Sequence, residues 1–532
     1  MAPIASQNPV HVAAQYPLHC ANEASVTALE SPFKLGPLDE LVYPFVPIEC
    51  LFVYRNPASS LENKLIDIKR LRQALSNLLN YYPHLTGRLQ INPETHIPEI
   101  TCIGRGAELR EATCDLLLDD LIPSDRATKY LLVTDFPDCG ATLTAPFDPS
   151  IEGVCRDPVL AIQHTRFACG GVVLGIRLHH ILCDAGGFFQ LVRGMAEIYR
   201  NMSSSSHPTL GCAPLIRSYL WDLSVLSPKE KQEALDYKPT AYYVKQPTES
   251  ANPAAPEQGA PAASNTVESE KPIETVPPSQ SAKSPIIGRV LRFSGIHLLE
   301  LKELATYPSG EGWVTSFEVL SAYLYQRVYR ARHQLLASQC GSPTRAAEKM
   351  FRGFFASINM RDRGRLNLGP DYFPNAIYPC YDNFSHELLA DGELWMVSKA
   401  LHDLIRATDA QQMEQTTRWI AVQPDKGHIG INFTFADGNF TVSQWSGFNM
   451  YEGVDFDVDG EGNPVPPVLV TPPLTEVSRV DALAMMLSTD EDLNRMAKSG
   501  GKMPNAINVN LTLTAPLWPI LDEDKNFRKH YL

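Results

Sequence analysis

The chain has 532 residues and a formal net charge of −14, with 44% hydrophobic and 20% charged residues. This length is too great for one hydrophobic core, so we expect two domains of ordinary soluble, globular composition. The acidic excess argues against a nucleic acid or an anionic membrane surface as the main partner. It still allows a local basic pocket for an anionic cosubstrate.

The 11 cysteines are scattered along the chain. None forms a Cys-x-x-Cys pair or joins histidines at the spacing of a zinc site, so we expect reduced thiols, no metal and a cytoplasmic location. The first twenty residues lack a basic segment followed by an apolar core, which argues against a secretory signal. An apolar run of about 18 residues is missing as well, which argues against a transmembrane helix.

In the first half of the chain, the hydrophobic pattern predicts a mixed sheet with helices packed on it. One helix has a leucine-rich stripe and must end before Pro83, because the residue before a proline avoids the helical region. The predicted strands are 48–54, 99–103, 131–135, 159–167 and a strand from Val172, and the predicted helices are 68–79 and 191–200.

Pro, Ala, Ser and Glu dominate residues 246–285, which we interpret as a disordered linker. It separates an N-terminal domain, 1–245, from a C-terminal domain, 286–532. The second domain also mixes strands and helices, which indicates an α/β protein. Its predicted strands are 287–293, a strand ending at Asn359, 429–435, 440–445 and 506–513, and its predicted helices are 295–306, one capped by Thr315 or Ser316, and 386–413.

The most informative stretch is Gly170–Tyr199, GGVVLGIRLHHILCDAGGFFQLVRGMAEIY. Alternate residues from Val172 to Leu178 are apolar, and the same parity places His180 on the buried face at the end of the strand, with His179 on the opposite face. Burial disfavours an imidazolium and keeps a neutral ring at pH 7, as a general base requires.

Asp184 and the pair Gly186-Gly187 follow His180 and form a turn into a helix. Each of these residues also has a purely structural interpretation. A His-x-x-x-Asp spacing arises by chance in a chain with 14 histidines, and an Asp before a helix is most often an N-cap. The pattern alone is compatible with catalysis or with an ordinary strand–turn–helix connection.

Other segments accompany this motif in a fixed order along the chain. They are LDELVYPFVPIECLFVY, YYPHLTGRL, HHILCDAGG, VTSFEVLSAYLY, NMRDR, DYFPNA, SQW and MYEGVDF. Together they resemble the BAHD acyltransferases, plant and fungal enzymes that move acyl groups from coenzyme A thioesters. The series covers nearly the whole chain outside the 246–285 segment, and an ordered series is far more specific than one motif.

This resemblance implies an α/β fold of two chloramphenicol-acetyltransferase-like domains with an active-site channel between them, and a C-terminal segment that adds a strand to the N-terminal sheet. It implies that His180 is the general base, which deprotonates an acceptor as the acceptor attacks the thioester in a ternary complex. No acyl-enzyme is required, and Cys183 has no evident activating partner. Acyl-CoA is then a cosubstrate, with no permanently bound cofactor and no metal.

The resemblance also implies a supporting role for Asp184, whose family counterpart turns away from the channel and pairs with an arginine, here Arg361. That pair would fix the loop that carries His180, and Gly186 and Gly187 would permit its tight turn and close substrate approach.

Four further residues occupy positions that line the channel in the family. Ser443 is a candidate oxyanion donor and Trp445 a candidate channel wall, but a core tryptophan beside an incidental serine is an equally good interpretation. Thr315 and Ser316 are candidate coenzyme contacts, for which a helix cap is at least as good an explanation.

The chain departs from the family pattern at three places. Ala185 stands where Gly usually follows the Asp, and Pro374 replaces the Gly of the DYFPNA segment. The Asp-Phe-Gly-Trp-Gly loop, which the resemblance makes mainly architectural, keeps only Asp455 and Phe456. These departures indicate a divergent, fungal-type member.

From these observations we predict a monomeric O-acyltransferase of secondary metabolite biosynthesis that uses acyl-CoA, acetyl by default, and a small-molecule alcohol. An amine acceptor is the alternative within the same chemistry. A condensation domain of a nonribosomal peptide synthetase is the second enzymatic alternative, because it shares the fold and the histidine motif. A non-catalytic ligand-binding protein on this fold is the alternative of another class.

Overall fold

The computed structural model describes residues 8–57, 65–126, 130–202, 208–245, 284–310, 312–433, 435, 438–494 and 503–531. Nearly all of the predicted linker, residues 246–283, lies outside the described residues. Within the described part of the chain, no helix combines the length and apolarity needed to cross a bilayer.

Seventeen strands are present in the described residues. Those before the predicted linker are β1 Val10–Leu18, β2 Phe33–Lys34, β3 Pro47–Tyr54, β4 Arg88–Ile91, β5 Pro98–Thr101, β6 Ala107–Cys114, β7 Leu160–Phe167, β8 Val172–His179 and β9 Tyr242–Val244. Those after it are β10 Ile286–Phe293, β11 Gly353–Asn359, β12 Ile377–Asn383, β13 Ile429–Ile431, β14 Phe440–Gln444, β15 Leu469–Thr471, β16 Leu483–Leu487 and β17 Ile507–Thr514.

Thirteen α-helices are present in the same residues. The first five are α1 Ala24–Thr27, α2 Ile68–Leu78, α3 Ile151–Arg156, α4 Ala185–Asn201 and α5 Pro228–Asp236. The others are α6 Gly295–Leu304, α7 Ser316–Cys340, α8 Pro343–Lys349, α9 His386–Ala390, α10 Leu394–Ala407, α11 Ala410–Val422, α12 Leu517–Glu523 and α13 Lys525–Arg528.

Two six-stranded mixed sheets form the framework, as the predicted fold class requires. The first has the order β1-β6-β7-β8-β3-β15 and the second the order β10-β17-β16-β14-β11-β12. In the first sheet only β6 and β7 are parallel neighbours, and in the second β14 is parallel to both β11 and β16. Strand β15 comes from the C-terminal half and pairs with Leu51–Val53 of β3, so the two halves share one sheet.

Helices cover these sheets through stripes of apolar residues. In α4, Phe188, Phe189, Val192 and Met195 recur at helical spacing and pack in the same core as α2 and the strands β3 and β8. Helix α7 contributes the corresponding stripe of the second domain, which includes Leu320, Leu324 and Val328. Each domain therefore buries its own core. Strand β8, which directly precedes His180, lies in the interior of the first sheet, between β7 and β3.

Three sequence-based predictions are wrong in detail. Residues 131–135 contain a 3-10 helix, Val133–Asp135, because the Asp135 carboxylate accepts a hydrogen bond from the Leu132 amide and pairs with Arg126, which closes a turn. The predicted strand 429–435 ends at Ile431. The tract 386–413 is broken into α9, α10 and the start of α11, the last of which begins at its own N-cap, Asp409.

The loop that carries Asp455 and Phe456 joins the two halves. The Phe456 ring packs edge-on against Tyr54 and Tyr199, with centroid distances of 5.9 and 5.5 Å. The Tyr54 hydroxyl donates to the Val454 carbonyl at 2.7 Å, and Arg200 donates to the Asp455 carbonyl. Asp455 and Phe456 thus anchor the C-terminal half on β3 and α4.

We expect Phe456→Ala to lower the free energy of unfolding by about 3–5 kcal/mol, because it leaves a cavity among aromatic rings. Phe456 is 1% exposed. Urea unfolding followed by tryptophan fluorescence measures this change. Val458→Ala in the same loop is the control, since Val458 is 55% exposed and its truncation should cost no more than about 0.5 kcal/mol. Equal effects of the two variants would contradict the anchoring role.

Candidate active site

His180 lies at the point where β8 ends and a 3-10 turn, His180–Leu182, begins. Its amide donates to the Val46 carbonyl at 3.2 Å, and Asn375 Nδ2 donates to its carbonyl at 3.0 Å. Burial lowers the pKa of His180, and the residue's own backbone, the Asp184 charge and Asn375 offset this only in part. A neutral imidazole is therefore favoured at pH 7.

The neighbouring His179 has a different environment on the opposite face of the strand. It is wholly buried, and its ring stands edge-on to Phe147 at 5.7 Å. Burial, together with the charges of Arg177 and Arg88, lowers the pKa of His179 to about 3. The strand is thus covered on both faces, and of this pair of histidines only His180 reaches a cavity.

Asp184 and Arg361 form a buried bidentate ion pair across the two halves. Arg361 Nη1 and Nη2 each donate to an Asp184 carboxylate oxygen at 2.8 Å, and the two residues are 3% and 8% exposed. Asp184 also accepts from the amides of Gly186 at 2.8 Å and Gly187 at 3.2 Å, so it caps α4 as well. The helix begins at Ala185 instead of the predicted residue 191 because of this cap.

Other protein atoms approach Gly186 and Gly187 closely, and the contact at Gly187 leaves no room for a side chain. A Cβ at Gly187 would lie 2.0 Å from the Phe373 carbonyl oxygen, and one at Gly186 would lie 3.0 Å from Arg361 Nη1. The atoms that approach this turn thus belong to the Phe373 segment and to Arg361, whereas the sequence predicted a close approach of substrate. Ala185 is the first residue of α4 and lines a cavity, which explains why a side chain is tolerated there.

Residues 372–376, YFPNA, connect this ion pair to a second buried carboxylate, Asp39. The Asn375 amide and side chain both donate to Asp39 Oδ1 at 2.9 Å, and the Ala376 amide donates to Asp184 Oδ2 at 2.8 Å. Burial raises the pKa of Asp39 to about 6 against the opposing effect of its hydrogen bonds, which include one from Ser218. The segment is therefore fixed at both ends.

Sequence reasoning missed Asp39 and Asn375 as site residues, although both lie in quoted motifs, LDELVYPF and DYFPNA. Their roles depend on contacts between distant parts of the chain. The structure also accounts for Pro374, whose carbonyl accepts from Arg361 Nη2 at 2.8 Å. This contact needs no N–H from residue 374, so proline is compatible with it.

Two cavities meet at His180. The first has a volume of about 600 Å³ and the second about 490 Å³. Both are lined by Ile48, His180, Ser357, Ile377, Ser443 and Trp445. This shared wall places the imidazole where groups from either cavity can reach it.

The two cavities differ in chemistry. Polar and charged side chains line much of the first one, including Thr315, Ser316, Arg365, Arg406 and Asn505. Apolar side chains dominate the second one, including Leu38, Val42, Phe355, Ile431 and Met485. One cavity thus suits a charged, hydrogen-bonding ligand and the other a hydrophobic ligand.

Ser443 and Trp445 share one face of the β14 segment. The Trp445 indole N–H donates to Ser443 Oγ at 3.1 Å, which leaves the hydroxyl hydrogen of Ser443 free to donate to a ligand. Trp445 also packs edge-on against Phe189 at 5.7 Å. It is therefore a core residue and a cavity wall at once.

Thr315 and Ser316 likewise combine two roles. Thr315 forms a capping box with Glu318: its hydroxyl accepts from the Glu318 amide at 3.2 Å, and Glu318 Oε2 accepts from the Thr315 amide at 2.7 Å. Both Thr315 and Ser316 line the first cavity. Cys183 does not qualify as a nucleophile, because burial raises its pKa well above the usual value.

The sequence and the structure of this chain are similar to those of known proteins. The sequence model of the Transferase family matches residues 23–493. A curated relative, taxadien-5-alpha-ol O-acetyltransferase of Taxus chinensis, is 36% identical over 135 residues, which are 25% of this chain. That alignment spans 28% of the relative's length.

Two solved structures share the fold. TRI101 of F. sporotrichioides, complexed with coenzyme A and T-2, superposes with a TM-score of 0.63 at 16% identity, over 94% of this chain and 99% of that chain. Vinorine synthase superposes with a TM-score of 0.60 at 14% identity, over 96% of both chains. These identities are low, so the likeness establishes the two-domain fold.

We expect Asp184→Asn and Arg361→Met each to lower the free energy of unfolding by about 3–5 kcal/mol, because each leaves an uncompensated buried charge. The double variant should lose clearly less than the sum, which a double-mutant cycle by urea unfolding measures. Asp403→Asn, which breaks the exposed pair Lys399–Asp403, is the control and should cost at most about 1 kcal/mol. Strict additivity at positions 184 and 361 would contradict a direct pair.

Proposed function

Because the chain belongs to the Transferase family, the family of the BAHD acyltransferases, we propose that it is an acyl-CoA-dependent O-acyltransferase. It moves an acyl group, acetyl by default, from coenzyme A to a hydroxyl of a small secondary metabolite. The observation that carries this proposal is the position of His180, a histidine with a lowered pKa on the wall shared by two cavities.

The first cavity is the proposed site for acyl-CoA. Arg365 and Arg406 line this cavity and are the proposed partners of an anionic ligand. Arg406 also pairs with Glu318, so a ligand would share this guanidinium with a carboxylate of the same cavity. TRI101, a structural neighbour, is complexed with coenzyme A, which is consistent with this assignment. The second, apolar cavity then receives the acceptor alcohol.

In the proposed mechanism, His180 accepts the proton of the acceptor hydroxyl as its oxygen attacks the thioester carbonyl. Its Nδ1 atom is buried, so Nε2 is the atom that faces the substrates. The Ser443 hydroxyl donates to the tetrahedral oxyanion. The coenzyme A thiolate then leaves, and the protonated His180 returns the proton to it.

Asp184 and Arg361 are positioning residues in this mechanism. Their ion pair fixes the turn after β8 and the segment 372–376, through which Asn375 holds the His180 carbonyl. The carboxylate is occupied by Arg361 and by the amides that it caps. It therefore supports the loop and takes no part in proton transfer.

We expect His180→Ala to lower acceptor-dependent thiol release from acetyl-CoA about 10²–10⁴-fold, because the base is lost. A panel of alcohols serves as acceptors, and calorimetric binding of coenzyme A verifies that the variant is folded. The matched control is His11→Ala, since His11 lies in neither cavity and its side chain is 57% exposed. Equal release by wild type and His180→Ala would contradict the role of His180 as base.

We also expect the acid limb of kcat/KM to have its midpoint below pH 6.5. The neutral imidazole is the active form, and burial lowers the pKa of His180 from its usual 6.5, so activity should persist as the pH falls through that value. Thiol release between pH 4.5 and 8 measures the limb. The profile is repeated with Glu49→Gln, because Glu49 lines the second cavity and titrates near this range. A midpoint at or above 6.5 in both proteins would contradict the assignment.

A further inference from the structure

The second cavity contains one carboxylate among otherwise mainly apolar walls. Of the described residues that line it, Glu49 is the only acidic one. It stands on β3, one residue after Ile48, which lines both cavities together with His180. A charged group on the wall of an apolar pocket costs free energy unless a partner satisfies it.

The pairing between β3 and β15 ends before it reaches Glu49. Strand β15 pairs with β3 only as far as Thr471 opposite Leu51, and Pro472-Pro473 follow. The start of β3 is therefore without its β15 neighbour, and the cavity reaches Glu49 there, between β3 and Thr475. His180 lies just beyond the end of the adjacent strand β8, and its amide donates to the Val46 carbonyl at 3.2 Å, just before the start of β3.

Glu49 is 8% exposed but only weakly bonded. The Thr475 hydroxyl donates to its Oε2 atom at a long 3.4 Å. Burial raises the pKa of Glu49 to about 7, with Arg177, Thr475 and Thr144 opposing this rise. An ionised carboxylate can accept about four hydrogen bonds, so Glu49 has acceptor capacity left for a ligand.

We propose that Glu49 determines acceptor specificity: the acceptor is a bulky apolar alcohol with a second hydroxyl, which donates a hydrogen bond to Glu49 while the first hydroxyl faces His180. This assignment rests on the proposed function and deepens it. The cavity volume of about 490 Å³ is in the range of pockets that enclose a small organic ligand.

The charge around Glu49 favours a neutral hydroxyl over an ammonium group as its partner. Arg177 is the residue directly opposite Glu49 on β8, on the same face of the sheet. Burial raises the pKa of Glu49 to about 7, and the charge of Arg177 opposes this rise. A second cation brought to this place would be repelled by Arg177, whereas a hydroxyl would not.

The test compares monoalcohols with matching diols of one fused-ring skeleton, in which the second hydroxyl is moved along the rings. Quenching of tryptophan fluorescence gives Kd, since Trp445 lines the cavity, and thiol release from acetyl-CoA gives kcat/KM. For at least one diol we expect wild type to show a preference over the monoalcohol of about 10-fold or more, as a hydrogen bond to a charged group provides. Glu49→Leu should abolish this preference, and Glu49→Gln, which is nearly isosteric, should reduce it.

Glu40→Gln is the matched control. Glu40 is a largely buried carboxyl whose pKa burial also raises to about 7, but it faces Lys426 at 3.9 Å and lines neither cavity. We expect this variant to retain the diol preference of wild type. Thermal unfolding of all variants verifies that Glu49→Gln is folded when its preference is measured.

The outcomes separate this inference from the proposed function. Equal affinity of wild type for every diol and its monoalcohol, or a diol preference that survives Glu49→Leu, would overturn the inference even if thiol is released. Tighter binding of a matching amino alcohol than of the diol would overturn the choice of a hydroxyl. A Glu49-dependent diol preference in Kd without thiol release from any acyl-CoA would support the inference and count against the proposed function.

Discussion

The buried ion pair between Asp184 and Arg361 is the interaction on which the rest of the site depends. Each partner comes from a different half of the chain, and each loses most of its hydration, so neither is stable in its place without the other. The same carboxylate caps α4 and accepts from the Ala376 amide. One residue thus fixes the turn after β8, the start of a core helix and the contact between the halves.

A second carboxylate, Asp39, completes the support from the other side. It holds Asn375 by two hydrogen bonds, and Asn375 holds the carbonyl of His180. The hydrogen bonds of the two carboxylates therefore fix the backbone around the histidine, and the Asp184 charge only partly offsets the effect of burial on the pKa of the ring. This arrangement leaves the ring with a lowered pKa and without a direct ionic partner, which is the state that a base for a hydroxyl group needs.

The two cavities that meet at His180 differ in the polarity of their lining residues, so they suit different ligands. Charged side chains of both signs, among them Arg365 and Arg406, line the cavity on one side of His180, whereas Glu49 is the only acidic residue among the mainly apolar described residues of the cavity on the other side. A donor with phosphate groups and a hydrophobic acceptor would then enter from opposite sides. The sheet edge beyond Thr471 matters for the acceptor side, since a longer β15 would close the space beside Glu49.

The sequence by itself determined the local elements: apolar alternation before His180, the helical stripes of α2 and α7, and the order of motifs that indicated the family. It misassigned 131–135, because the bond from Leu132 to Asp135 that closes the turn gives no hydrophobic pattern. It allowed Asp184 to be an N-cap or the partner of Arg361, and in the structure Asp184 makes both contacts. Only the tertiary structure decided that Asp39 meets Asn375, 336 residues away, and that Glu49 lines the second cavity. Periodicity reports which face of a strand is buried, whereas the partner that buries it depends on how distant segments pack.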